Sequence, residues 1–289
     1  YRGCGVRNIP LILVSARISP RSISGYRRLL PLIRETLSHG IIIAAQSQSD
    51  ADRFLSLGAS EVRTKVTGNI KFDVELPAEI TSEGRAFREQ FIGTRPVWIA
   101  ASTHDGEEEQ VLTAHRALLE KFPNLLLILV PRHPERFSEV RERVERSGFS
   151  VVSRTERRRC EDSTSVLLGD TMGEVPLFYA ASDIAFVGGS LVPIGGHNLL
   201  EPAAQALPVI TGPHQFNAQD ISDMFVDMNA CRIVNGTAEL ADAVADLLEN
   251  PDKAEEMGLH SRALLERNKG ALARLLVLVE PLLSDKSSP

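Results

Sequence analysis

The sequence is short of the features that mark secreted, membrane-spanning or nucleic-acid-binding chains. Only three cysteines occur in 289 residues, Cys4, Cys160 and Cys231, far apart and without C-x-x-C spacing. This excludes a disulfide framework or a zinc module and reads as reduced thiols in a cytosolic compartment. No apolar run approaches the roughly 18 residues of a membrane span, and no basic-then-apolar leader opens the chain. Positive charge is not in excess: 32 Lys and Arg stand against 38 Asp and Glu, for a formal net charge of −6. That balance argues against nucleic acid as a partner. Internal repeats, low-complexity tracts and the Gly-x-Ser-x-Gly elbow of serine hydrolases are all missing. An initiator methionine is missing too. The chain opens on Tyr1 and soon enters a strand, which predicts a natural N-terminus further upstream.

What is present describes a globular protein. Hydrophobic residues make up 43% and charged residues 24%, with length enough for one large or two ordinary domains. Pro10–Val14, Ile41–Ala45 and Val62–Thr67 read as strands, separated by an amphipathic segment from Ser24 to Leu37 and a short helix from Ser49 to Leu57. This β-α-β-α-β order predicts a parallel sheet with an exposed edge, the back half of a domain over residues 1–74. A polar, Pro-containing stretch, residues 75–94, reads as a linker with one short helix and little core. From residue 95 to 267 apolar strands alternate with helical patterns, and an apolar helical segment with a tail closes the chain over 268–289.

In that second domain five strands end in polar turns, at Ser102, Pro131, Gly169, Gly188 and Gly212. In an open parallel sheet such turns gather at the carboxyl ends of the strands, where ligands bind. The central stretch runs from Phe186 to Pro202. A buried-strand run leads into two glycine pairs, Gly188-Gly189 and Gly195-Gly196, and Asn198 precedes Glu201 at a capping spacing. Glycine loops let backbone N–H groups approach a ligand, and a helix start adds the positive end of its dipole. An ordinary tight strand-to-helix connection has the same pattern.

Four motifs together resemble the Kdo transferases of lipopolysaccharide assembly. They are Asn69 to Asp73 (NIKFD), Val130 to Arg136 (VPRHPER), Gly169 to Glu174 (GDTMGE), and Gly188 to Pro202 with its closing GGHNLLEP. The resemblance runs from about Pro10 nearly to the end of the chain. It implies a GT-B fold, two Rossmann-like doubly wound domains facing across a cleft, the first only partly present. It implies inverting transfer of 3-deoxy-D-manno-octulosonate (Kdo) from CMP-Kdo to a lipid A precursor, at the cytoplasmic face of the bacterial inner membrane and without a cofactor. The membrane contact would run through the missing N-terminal region. Carried over by motif, CMP contacts fall on Pro131, Arg132, Met172, Gly173, Glu174, Asn198, Leu199, Leu200 and Glu201. Lys71 falls where the family has a residue that stabilises charge in the transition state. The family's general base, a glutamate early in its N-terminal domain, has no counterpart here, since Glu35 and Asp50 match no catalytic motif. The resemblance therefore implies a chain that binds donor nucleotide and turns over poorly.

Other readings of these residues stand beside that one. Arg132 suits a phosphate oxygen or a surface ion pair with Glu135. Lys71 suits a departing phosphate or a salt bridge to Asp73. Arg17, Arg21, Arg27 and Arg28 form a basic cluster that suits an anionic lipid surface or a solvated helix face. His104, His133, His197 and His214 all lie in strand-end turns, but their spacing fits no zinc motif, so hydrogen-bonding histidines and no metal are expected. The alternative functions are a UDP-dependent transferase or epimerase of the same fold, and a catalytically silent nucleotide-binding module.

Overall fold

The computed structural model describes residues 2–7 and 9–284, without the side chains of Arg2, Pro20, Arg21 and Ser284. The side chain of Arg21 of the basic cluster and the last five residues of the expected tail therefore lie outside the described part. Two compact units are present, residues 1–73 together with 266–289, and residues 74–265.

The first unit is built on a parallel sheet of three strands, β1 (Ile12–Ala16), β2 (Ile42–Ala45) and β3 (Thr64–Val66), in that order. Ile41, Ile43, Ala45, Phe54 and Leu57 form its core. The single amphipathic segment expected from Ser24 to Leu37 is two helices, Pro20–Arg28 and Leu30–Ser38, broken at Leu29. Pro31 has no N–H to continue the first helix and is at home in the first turn of the second. Asp50 is buried: its carboxylate accepts from the Ile18 N–H at 3.1 Å, from Ser47 at 2.6 Å and from Arg53 at 3.0 Å. These bonds make it a structural anchor. Asp73 has a similar task, accepting from the N–H groups of Gly270 at 2.5 Å and Leu272 at 2.6 Å at the start of the helix Ala271–Ser284. An acid there satisfies orphan donors of the first turn.

The second unit holds a seven-stranded, wholly parallel sheet. Its strands are β4 (Val97–Thr103), β5 (Leu126–Pro131), β6 (Val151–Ser153), β7 (Val166–Leu168), β8 (Ile184–Val187), β9 (Val209–Thr211) and β10 (Cys231–Ile233), in spatial order β10-β9-β8-β4-β5-β7-β6. The central strands read as continuous apolar runs because both faces are covered. Trp98 and Ala100 pack into one core, Val97, Ile99 and Ala101 into the other. His115, on the helix Glu108–Lys121, is fully buried against the first of these cores, accepting from Trp98 Nε1 at 3.2 Å and placing Nε2 3.0 Å from the Ser165 carbonyl. Its Nε2 therefore carries the proton and donates to Ser165. Strand order reverses between β4 and β8, so the chain's direction of travel switches there and opens a crevice above the carboxyl ends.

The stretch expected to be a linker has more core than its polar composition suggests. It carries the helix Ile80–Phe91, whose Ile80 and Phe87 are buried and whose Gly84 lies against the helix Val175–Ala180. A Cβ at Gly84 would stand 2.3 Å from that of Ala180, so the glycine is what lets the two helices meet. β10 and the helix Gln219–Asp227 were not expected from the sequence, both being short elements of mixed polarity.

Candidate functional site

Four of the five strand-end turns converge on one cavity of about 360 Å³, lined by Ser102, Pro131, Arg132, Met172, Gly173, Tyr179, His197, Asn198 and Glu201 among others. The fifth, at Gly212, supports this region from behind. Its N–H donates to the Ser190 hydroxyl at 2.8 Å, and a Cβ on Gly212 would meet the Ser190 carbonyl oxygen at 2.2 Å. At the end of β4 the register with β5 shifts, and Ser102 takes a left-handed φ of 57°. A side chain held there costs about 1–2 kcal/mol, and such strain gathers at functional sites. The bulge leaves the Thr103 carbonyl free to accept the Arg132 N–H at 3.0 Å, which fixes the backbone from which the Arg132 side chain projects.

Arg132 is exposed and its guanidinium has no carboxylate within 4 Å among the described residues; the nearby Glu135 approaches His133 instead, at 3.8 Å. A planar cation without a protein partner at the rim of a polar cavity is suited to a bidentate grip on phosphate. Glu201 shares the cavity wall. Burial raises its pKa, while Asn198 and Arg132 pull the other way. Asn198 works twice, accepting from the Leu200 N–H at 3.1 Å and donating to Glu201 at 3.2 Å. A carboxylate so held can accept from vicinal hydroxyls. Leu199 and Leu200 are 3% and 0% exposed; they anchor the turn in the core, and their side chains do not line the cavity.

Met172 and Gly173 form the opposite lip, Met172 with 64% of its surface exposed and Gly173 with φ of 80°. Glu174 belongs to the same loop but its carboxylate is turned to structural work, pairing with Arg154 at 2.9 Å and accepting from Thr171 at 2.5 Å. Asp170 is similarly tied to Thr155. The loop is thus held as a rigid edge, available to a ligand through Met172 and the Gly173 backbone.

The glycine loop after β8 corrects the expectation that its N–H groups face a ligand. They already face an anion of the protein's own. Glu107, fully buried, accepts from the N–H groups of Gly189 at 2.6 Å, Ser190 at 2.9 Å, Leu191 at 2.9 Å and His104 at 3.0 Å. A Cβ at Gly188 would fall 3.0 Å from that carboxylate. The anion-binding geometry of the loop is real, but its occupant is internal. The helices that begin at Val175 and Leu200 are only six and five residues long. Charge on a ligand phosphate therefore rests chiefly on Arg132.

From the sequence, Ser102 is expected only as the head of a strand-end turn and His197 only among hydrogen-bonding histidines, while Tyr179 and Glu107 carry no functional expectation there. The only local signal at Glu107 is an acid following a strand-end turn. Among the described residues no group of three or more His, Cys, Asp or Glu could hold a metal ion. Lys71 lies in the first unit, in the turn Ile70–Phe72, with its N–H capped by Asn69 at 3.0 Å and its side chain exposed. No ion pair joins it to Asp73, whose oxygens are engaged by the helix Ala271–Ser284.

Comparison with known proteins matches this geometry to a family. Residues 1–74 match the family model described as 3-deoxy-D-manno-octulosonic-acid transferase (kdotransferase), and residues 94–263 match that of glycosyl transferases group 1. The 3-deoxy-D-manno-octulosonic acid transferase of Haemophilus influenzae is 44% identical over 96% of this chain. The chain spans 65% of that relative's length and 64% of the corresponding Bordetella pertussis protein's. The C-terminal CMP-Kdo binding domain of WaaA from Acinetobacter baumannii is 38% identical, with a TM-score of 0.62, over 65% of this chain and 98% of that one. Anabaena Alr3699/HepE in complex with UDP, 18% identical over 98% of this chain and 74% of that one, has a TM-score of 0.56 and shares the fold. The chain belongs to the 3-deoxy-D-manno-octulosonic acid transferase family and has the GT-B architecture of the group 1 glycosyl transferases.

Proposed function

We propose that the cavity holds the CMP portion of CMP-Kdo and that the protein transfers Kdo from it to a lipid A precursor at the cytoplasmic face of the bacterial inner membrane. The observation that carries this reading is Arg132, a cation without an acidic partner, sharing one cavity with Glu201 and the Met172–Gly173 lip. The phosphate lies on the Arg132 fork, the ribose hydroxyls meet Glu201, and the lip frames the base. Transfer is an inverting displacement. A base removes the proton of the acceptor hydroxyl, whose oxygen attacks the anomeric carbon, and CMP departs with the electron pair of the broken C–O bond. Lys71, exposed and without an ion pair among the described residues, is the cation proposed to offset charge on the departing group. Asp50 does not serve as the base, since its carboxylate is saturated by Ile18, Ser47 and Arg53.

A membrane contact belongs to this proposal as well. Among the described residues no helix is long and apolar enough to cross a membrane. One unpaired arginine suits the single phosphate of CMP better than the two of UDP. In a calorimetric titration of the chain, CMP is expected to bind at least ten times more tightly than UDP. Equal or tighter binding of UDP would turn the assignment toward a UDP-dependent enzyme, and no binding of either would remove it.

A further inference from the structure

The wall of the cavity carries a pair of histidines that the proposed function does not use. His104, from the turn after β4, and His197, from the segment after β8, approach through their Nε2 atoms at 2.8 Å, with ring centroids 5.0 Å apart and planes 6° from parallel. His197 lines the cavity. The place is built for the pair: Gly189 is in the left-handed region with φ of 67°, and a Cβ on it would meet His197 at 2.7 Å. His133 closes the other side of His104, edge to face at 5.2 Å.

We infer, building on the proposed nucleotide site, that His104 and His197 form a proton-holding pair that takes up one proton when a phosphate monoester enters the cavity. At 2.8 Å one Nε2 must donate and the other accept, so the neutral pair contains one N–H between the rings. A single added proton goes to the Nδ1 of the donor ring and preserves that bond. A second would set two N–H groups against each other, so the capacity is one. The proton comes from solvent, and no other bond changes.

The surroundings keep the pair neutral until an anion arrives. Burial lowers the pKa of His197 to about 4, with His104, Arg132 and His133 adding to the effect. Burial also lowers that of His104, where Glu107 and Glu108 oppose it and His133 and Arg136 reinforce it. Both acids are committed, Glu107 to the glycine loop and Glu108 to Arg136 at 2.7 Å. Glu201, on the same segment as His197, is the remaining acid of the wall. A phosphate charge about 5 Å away at an effective dielectric near 20 raises proton affinity on the order of a hundredfold. The donor's phosphodiester carries one negative charge and released CMP up to two, so negative charge at the site grows as the C–O bond breaks. Proton uptake by the pair offsets that growth on the leaving group.

The test is NMR of the whole chain with 15N-labelled histidine, titrated with pH free, with CMP and with cytidine. His104→Gln and His197→Gln serve to assign the two rings. With CMP bound, the pair's ring nitrogens are expected to titrate at a pH at least one unit higher than in the free protein, and cytidine is expected to leave them unchanged. Between pH 7 and 5, the window set by a free value of about 4 for His197 raised by about two units, the CMP affinity of the wild type should rise relative to that of His197→Gln as pH falls, because binding is coupled to proton uptake. If CMP binds while both rings titrate as in the free protein, the inference is overturned and the nucleotide site stands. If CMP does not bind at all, the nucleotide site itself fails and this inference falls with it.

Discussion

Replacing Arg132 with alanine is expected to weaken CMP binding about 10- to 100-fold and to leave the stability of the fold nearly unchanged. Hydrogen bonds to a charged group are worth roughly 1.5–3 kcal/mol, and each 1.4 kcal/mol is tenfold in affinity. The second half of the expectation follows from the surroundings. The Arg132 guanidinium has no carboxylate within 4 Å among the described residues, and it is the Arg132 backbone N–H that holds the turn to Thr103. Alanine keeps that N–H. Cytidine, which lacks the phosphate, should bind wild type and variant alike. Arg132→Lys should fall between the two, since an ammonium keeps the charge but loses the planar fork. Calorimetry with CMP and cytidine on the three proteins separates these terms. An equal loss for cytidine would mean that Arg132 shapes the cavity without touching phosphate.

The largest expected loss of stability is at Glu107. Glu107→Ala removes the acceptor of three loop N–H groups, on Gly189, Ser190 and Leu191, in a region closed to water. Each buried donor left without an acceptor costs about 1–3 kcal/mol, so stranding three of them should cost roughly 3 kcal/mol or more. Glu107→Gln should lose less: it keeps one acceptor oxygen but turns an NH2 toward the loop donors. Denaturant unfolding of wild type, Glu107→Gln and Glu107→Ala measures the series. A loss under about 1 kcal/mol for alanine would show that the loop holds its shape without the carboxylate. Nucleotide affinity should drop in parallel, because His197 and Asn198 follow directly from that loop.

These two residues mark how far the sequence could be read. The turn carrying Arg132 was legible because a run of six buried apolar residues, Leu126–Pro131, ends in a charged segment, and parallel strands deliver such turns to one edge of the sheet. The same logic brought Met172, Gly173, Asn198 and Glu201 to the cavity. Glu107 was not legible, since the three loop N–H groups it holds lie more than 80 residues away and no local period reports them. The Gly-Gly-Ser loop was expected to face a ligand and faces Glu107 instead, because a sequence does not say which acceptor a glycine loop meets. The His104–His197 contact is non-local for the same reason. Glu174, Leu199 and Leu200 came with their motifs, and the structure gives their side chains to loop tethering and to the core. At the helix level, the break at Leu29 was signalled by Pro31 and overlooked, while burial of the helix Ile80–Phe91 depended on Gly84 meeting Ala180, a contact nearly a hundred residues apart.

The most direct measurement is a crystal structure of this chain with CMP bound. It should show a phosphate oxygen within hydrogen-bond distance of the Arg132 guanidinium, the ribose hydroxyls on Glu201 and the base against Met172 and Gly173. A nucleotide bound elsewhere, or one bound in this cavity with Arg132 turned away from its phosphate, would contradict the assignment.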